Sequence, residues 1–282
     1  MAFETLSDRL RLVADASLAL CRTNYGSSGL KREEPIHASI GWKPTFYLRP
    51  SRILVVAVEV NDYLFPQILQ IAADEIAHHN QPVAVYQARS LDIYQKDRNL
   101  VRSTLLRDRG FGIITVSESG AAQFQRRATP LGQCIPLSLL DPELQALTPR
   151  LKVCFRTAHA TYETDIGQGL QAVGQIIEAL IKGMAAQAGA STVVPPNTAT
   201  KTTADVIDIL YASPAFRNHR AALGGARNFV GNYRNAASHP AATPQQAAEK
   251  IRICKAGFLE ALRIARELRI VFQSMGYKIV VH

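Results

Sequence analysis

The spacing of apolar residues changes along the chain. Up to about residue 140, short β-branched runs alternate with helical patterns. From about residue 160, spacings of three and four continue to the end. The first part therefore reads as an α/β domain with a largely parallel or mixed sheet, and the second as an all-α bundle of four or five helices. The expected division is 1–150 and 151–282, with the boundary in a connector near 140–160.

The opening helix is expected over residues 5–22, with apolar Leu6, Leu10, Val13 and Leu18 and a cap at Ser7 or Thr5. Residues 26–34 read as a loop. Strands are expected at 44–48, 52–60, 82–87 and 112–116. The run 52–60 is apolar almost throughout, as in a strand covered on both faces. Helices are expected over 66–78 and 91–109, a short one at 118–127, and an edge strand at 134–137.

In the second part, Ile166, Leu170, Val173, Ile177, Leu180, Ile181 and Met184 define one face of a long helix. Pro195-Pro196 marks a loop. A helix follows at 203–211. Gly224-Gly225 is expected to separate the segment opened by Ser213-Pro214 from a helix over 226–235. Thr243-Pro244 opens the last helix, which runs to about Ser274 and stops at Gly276.

Charge adds a direction. The net formal charge is +9. Residues 151–282 carry 15 Lys and Arg against 8 Asp and Glu, and residues 1–150 carry 17 against 15. The basic excess lies in the helical half, which fits a polyanionic partner such as nucleic acid, or merely a basic soluble surface. No apolar run reaches the roughly 18–20 residues that span a bilayer, and the start of the chain lacks the pattern of a signal peptide. The four cysteines, Cys21, Cys134, Cys154 and Cys254, form no CxxC pair and read as reduced thiols of a cytoplasmic protein.

The most informative stretch is Gly231 to Pro240, GNYRNAASHP. Arg234 and His239 are five positions apart, so on a continuous helix they would stand roughly 140° apart around the axis. Pro240 disfavours helical geometry at His239. The helix should end near 236–238, and His239 can then turn back toward the face of Arg234. Arg, His and an amide are a workable set for cutting RNA without a metal. The imidazole titrates near neutrality and can exchange a proton with the ribose 2′-hydroxyl or the leaving oxygen. Arg234 would neutralise the five-coordinate phosphate, and Asn235 would hold the imidazole or a phosphate oxygen. Local capping and pairing at a helix end fit the same residues.

Arg-Asn, three residues, then His, inside a helical domain, resembles the signature of the HEPN superfamily. The resemblance covers roughly residues 155–280. It implies a helical bundle acting as a homodimer, with paired motifs meeting in a cleft. It also implies metal-independent endoribonuclease activity of the kind found in toxins, phage defence and RNA processing, with no cofactor. On this reading Arg234 and His239 are the catalytic pair and Asn235 the polar residue that follows the Arg. The alternative is a non-catalytic, dimeric module binding nucleic acid or protein. Arg227 lies seven residues before Arg234 and would extend a phosphate track. Tyr233 would stack on bases or pack in the core. Arg252, Lys255, Arg263 and Arg266 form a basic stripe on the last helix, either an RNA contact or a solvated face. Glu163 and Asp165 are placed to favour the start of the first long helix.

In the α/β half, Thr45 before a strand that ends Glu59-Val60-Asn61 faintly resembles the restriction-endonuclease pattern. That pattern holds a metal between an Asp and a Glu-x-Lys. Here Thr45 and Asn61 stand at the Asp and Lys positions, which leaves Glu59, with Asp62 nearby. The resemblance therefore implies a degenerate site. An unrelated α/β domain, acting as sensor or substrate selector, fits the same residues. No glycine-rich phosphate loop is present, and His78-His79 has no second ligand cluster to pair with.

Overall fold

The computed structural model describes residues 3, 6–62, 80–97, 101–238 and 240–280, and only the backbone at 101–103 and 234–238. Its contacts divide the chain into two compact units. One is Met1–Pro136 with Ala241–Glu249. The other is Leu137–Pro240 with Lys250–His282. The first is α/β and the second all helical.

The α/β unit opens with α1 (Asp8–Tyr25), capped by Ser7. Its six strands are β1 (Lys31–Arg32), β2 (Phe46–Leu48), β3 (Val55–Val60), β4 (Val83–Ser90), β5 (Gly112–Val116) and β6 (Ala122–Arg126). They lie side by side in sequence order. β3, β4 and β5 are parallel, and the outer pairings are antiparallel. Two short helices, α2 (Leu91–Gln95) and α3 (Val101–Asp108), follow β4.

Strand periodicity sorts the side chains onto two faces. Val56, Val58, Val60, Tyr86, Ala88, Ile114 and Val116 share a core with Val13, Ala14, Leu18 and Cys21 of α1. The alternate residues Val55, Ala57, Val83, Val85 and Ile113 share the other with Leu106 of α3, Ile36, Ile40 and Phe111. Toward the carboxyl ends of the strands this second row turns polar: Glu59, Asn61, Gln87, Arg89 and Thr115.

The helical unit contains α4 (Leu137–Gln145), α5 (Pro149–Thr164), α6 (Ile166–Ala190), α7 (Thr203–Ala212), α8 (Arg220–Ser238) and most of α9 (Pro244–Ser274), with short 3-10 turns at 198–200 and 214–219. Caps explain most of the starts. Thr148 accepts from Leu151 N with Pro149 in the first turn, and Thr202 accepts from Asp205 N. Thr243 and Gln246 form a reciprocal capping box: Thr243 Oγ1 accepts from Gln246 N, and Gln246 Oε1 accepts from Ala242 N and Thr243 N.

Five local expectations need correction. The single helix expected over 91–109 is instead two, α2 and α3, with residue 97 outside either. Residues 118–127 form a hairpin arm. Gly120, at φ +82°, closes a turn on Ser117, and β6 follows. The edge strand at 134–137 is absent; α4 begins at Leu137 instead, with Pro142 inside it. Residues 31–32 pair as a two-residue strand rather than lying wholly in a loop. Gly224-Gly225 does not interrupt the chain: α8 is continuous from Arg220 to Ser238. The helix expected over 66–78 lies outside the described residues. No helix of the described residues is long and apolar enough to cross a membrane.

Candidate functional site

Arg234 and Asn235 fall in the last two described turns of α8, which is described as far as Ser238 and is over by Pro240. His239 lies outside the described residues, as do the side chains of Arg234 and Asn235. What positions this end of α8 is well defined. Its inner face buries Leu223, Ala226 and Phe229. Tyr233 then packs on α9 and α6. A Cβ on Gly257 would stand 2.7 Å from the Tyr233 ring and 2.8 Å from Leu170 Cδ1, so only glycine admits the ring there. The Phe229 and Tyr233 rings are 5.4 Å apart. Tyr233 is therefore packing the bundle rather than standing out as a stacking platform.

The basic stripe on α9 is largely neutralised within the chain. Arg263 lies between Glu260 and Glu267, which hold its guanidinium charged. Arg266 reaches Glu143 of α4 at 3.1 Å. On α8, Arg227 meets Asp208 of α7 at 3.3 Å, an exposed pair. Arg252 is exposed and Lys255 half-buried. Two of these four α9 cations thus face carboxylates of their own subunit.

Asp165 accepts from Gly167 N and Gln168 N, so it is the N-cap of α6, the helix-start role the sequence suggested. One group escaped the sequence reading. His159 of α5 is buried, stacked with Tyr162 and edge-on to Phe258, and its Nε2 has no hydrogen-bond partner among the described residues. A lone His among apolar helix residues gives no signal of this in one sequence.

In the α/β unit, Glu59, Thr45 and Asn61 do come together, at the carboxyl end of β3. Trp42 Nε1 donates to Glu59 Oε2 at 3.2 Å, and burial pushes the Glu59 carboxyl up to about 7. Thr45 Oγ1 accepts from Val60 N. Gln87, opposite Glu59 in the parallel register, donates to Asn61 Oδ1 at 3.0 Å, while Asn61 Nδ2 and Gln87 Oε1 have no partner among the described residues.

Asp62, expected beside Glu59, is instead tied to another network. Ser90 donates its N–H and hydroxyl to Asp62, and Arg9 of α1 reaches Asp62 at 2.7 Å and also Asp92. This network borders a cleft of about 740 Å³ that includes Leu12, Val116 and Glu118. Among the described residues Arg9 is the only basic side chain lining the cleft, and it already faces two carboxylates.

Among the described residues no group of three or more His, Cys, Asp or Glu is placed to hold a metal ion, and His78-His79 lies outside them. All four cysteines are free thiols. Compared with protein-family models, curated proteins and solved structures, the chain matches none.

Proposed function

We propose that the helical unit is a metal-independent endoribonuclease of HEPN type, with Arg234 and His239 as its catalytic pair and the α/β unit as sensor or substrate selector. The observation that carries this reading is the end of α8. The helix holds Arg234 and Asn235 in its final turns, is described as far as Ser238 and is over by Pro240. Pro240 disfavours helical geometry at His239, and on a continuous helix that imidazole would stand away from the arginine face.

In the reaction, His239 accepts the proton of a ribose 2′-hydroxyl as that oxygen attacks the adjacent phosphorus. Arg234 stabilises the charge gathered on the five-coordinate phosphate. The P–O5′ bond breaks, leaving a 2′,3′-cyclic phosphate and a 5′-hydroxyl. The leaving oxygen takes a proton from a second imidazole, that of the motif in a partner copy across a homodimer. Asn235 orients the imidazole or a phosphate oxygen.

The test is cleavage of a mixed RNA in EDTA by the wild type, His239→Ala and Arg234→Ala. Loss of at least a hundredfold in both variants is expected. Equal cleavage by all three sinks the assignment. A wild type that binds RNA and never cuts it is instead a non-catalytic binding module.

A further inference from the structure

Arg220, Gly224, Arg227, Gly231 and Arg234 recur on α8 at steps of four and three. At about 100° per residue all five positions fall within roughly 40° of one line along the helix. Arg217 sits three residues before Arg220 in the 3-10 turn, where such residues eclipse, so it joins the same row.

This row faces outward. Arg217, Arg220, Arg227 and Gly231 are exposed, and among the described residues a Cβ on either Gly224 or Gly231 would meet nothing within 4 Å. Gly225, one position round, faces Arg263 of α9 instead. The helix thus presents arginines separated by bare backbone. Asn228 and Asn232, both exposed, flank the row.

The charge around the row is of one sign. From residue 209 to 248, forty consecutive positions, there is no Asp or Glu. Arg217 and Arg220 have no carboxylate partner among the described residues. Arg220 lies over the ring of Tyr211, itself exposed, with its guanidinium 5.2 Å from the ring centroid. The Arg227–Asp208 contact is an exposed pair of the kind that contributes little in water and yields readily to a phosphate.

We propose that this outer face of α8 is a track for single-stranded RNA, gripped by its phosphates and leading toward Arg234 and His239. The glycines let the strand approach the helix backbone. The asparagines meet ribose hydroxyls or base edges, and Tyr211 with Arg220 gives the strand a stacking surface at the far end. Arg220 and Arg234 are about 21 Å apart along the axis, so the substrate is a strand of several nucleotides rather than a dinucleotide. A second copy packed along Arg217 to Arg227 would bring arginines against arginines, which charge disfavours, so the homodimer contact of the ribonuclease reading is left to the Arg234 end of the helix. The inference depends on the ribonuclease reading only for where the strand leads.

The test uses the full chain and a 2′-O-methyl RNA of roughly ten nucleotides, which cannot be cut and so reports binding alone. Arg220→Glu with Arg227→Glu is expected to weaken binding at least tenfold and to lower the slope of log K against log salt by about 1.4, some 0.7 per lost contact. Arg150→Glu with Arg156→Glu on α5, an equal change of charge, is expected to leave the affinity within about twofold. Gly231→Leu fills open space on the row and is expected to weaken binding with no loss of melting temperature. Undiminished binding by the Arg220/Arg227 pair or by Gly231→Leu overturns the track, as does an equal loss in the α5 control. A Gly231→Leu chain that loses a dimer while keeping its RNA affinity makes the row a helix-docking face, which also overturns it. Track-dependent binding without cleavage of native RNA strikes the ribonuclease reading and leaves the track. Cleavage with kcat/KM unchanged in the Arg220/Arg227 pair does the reverse.

Discussion

The Tyr233 ring occupies the place where a side chain at residue 257 would stand: a Cβ there would come within 2.7 Å of its Cδ1. Gly257 is thus what lets α8 lie against α9 one residue before Arg234. Gly257→Ala should gain about 1 kcal/mol of helix propensity and lose about 1–3 kcal/mol to overpacking. A net loss of about 1 kcal/mol in urea unfolding is expected, with a larger fall in RNA cleavage than that loss accounts for. A stability gain would mean that the ring moves aside freely.

Gly231 should behave in the opposite sense. It lies in the same helix, and no described residue comes within 4 Å of its missing side chain. Gly231→Ala is expected to stabilise the helical unit by about 0.5–1 kcal/mol. Differential scanning calorimetry would read this as a higher transition temperature for that unit.

Glu59 makes the α/β unit sensitive to pH. Burial raises its folded pKa to about 7, above the ordinary 4.5. The folded state therefore holds a proton that the unfolded chain has released between these values. The stability contribution is fully present below about pH 4.5, falls as pH rises toward 7 and is constant above. Glu59→Gln, which keeps an acceptor for Trp42, should abolish that slope and stabilise the unit at pH 8 by something on the order of 1–3 kcal/mol. Parallel pH–stability curves for the two proteins would show that Glu59 is not the group responsible.

Asp165 both ends α5 and caps α6. Asp165→Ala should cost about 1 kcal/mol, and Asp165→Asn much less, because the amide oxygen still accepts from Gly167 and Gln168. If Asn costs as much as Ala, the charge matters more than the cap, and the helix dipole is the larger effect.

Much of this architecture was legible in the sequence, because period and punctuation carried it. β3 reads as a covered strand, the α6 face reads as a helix, and Thr243-Pro244 and Gly276 mark both ends of α9. The misreadings came from signals that neighbours override. Polar and charged residues at 118–127 resemble a helix only until Gly120 turns the chain and pairs it with β5. Gly224-Gly225 resembles a break, but Gly225 packs on α9 while Gly224 stands in the open, and the buried face of α8 holds the helix through both. The site is legible to a different degree. Spacing singled out Arg234, His239 and Arg227 as candidates, of which His239 and the side chain of Arg234 lie outside the described residues. It gave no hint that Arg263 would be enclosed by Glu260 and Glu267, or Arg266 met by Glu143 from another helix. Those carboxylates come from packing.

The order of the strands bears on how the chain is made. Each strand of the sheet pairs with the one synthesised just before it, so the α/β unit can grow in the direction of translation, every new strand finding its edge already waiting. Such nearest-neighbour pairing keeps loop-closure costs low and edges briefly exposed. Yet residues 241–249 belong to this unit as well. A nascent chain halted at Pro136 would carry the whole sheet and still lack its final piece. That piece is not synthesised until α8, with Arg234 on it, has been made.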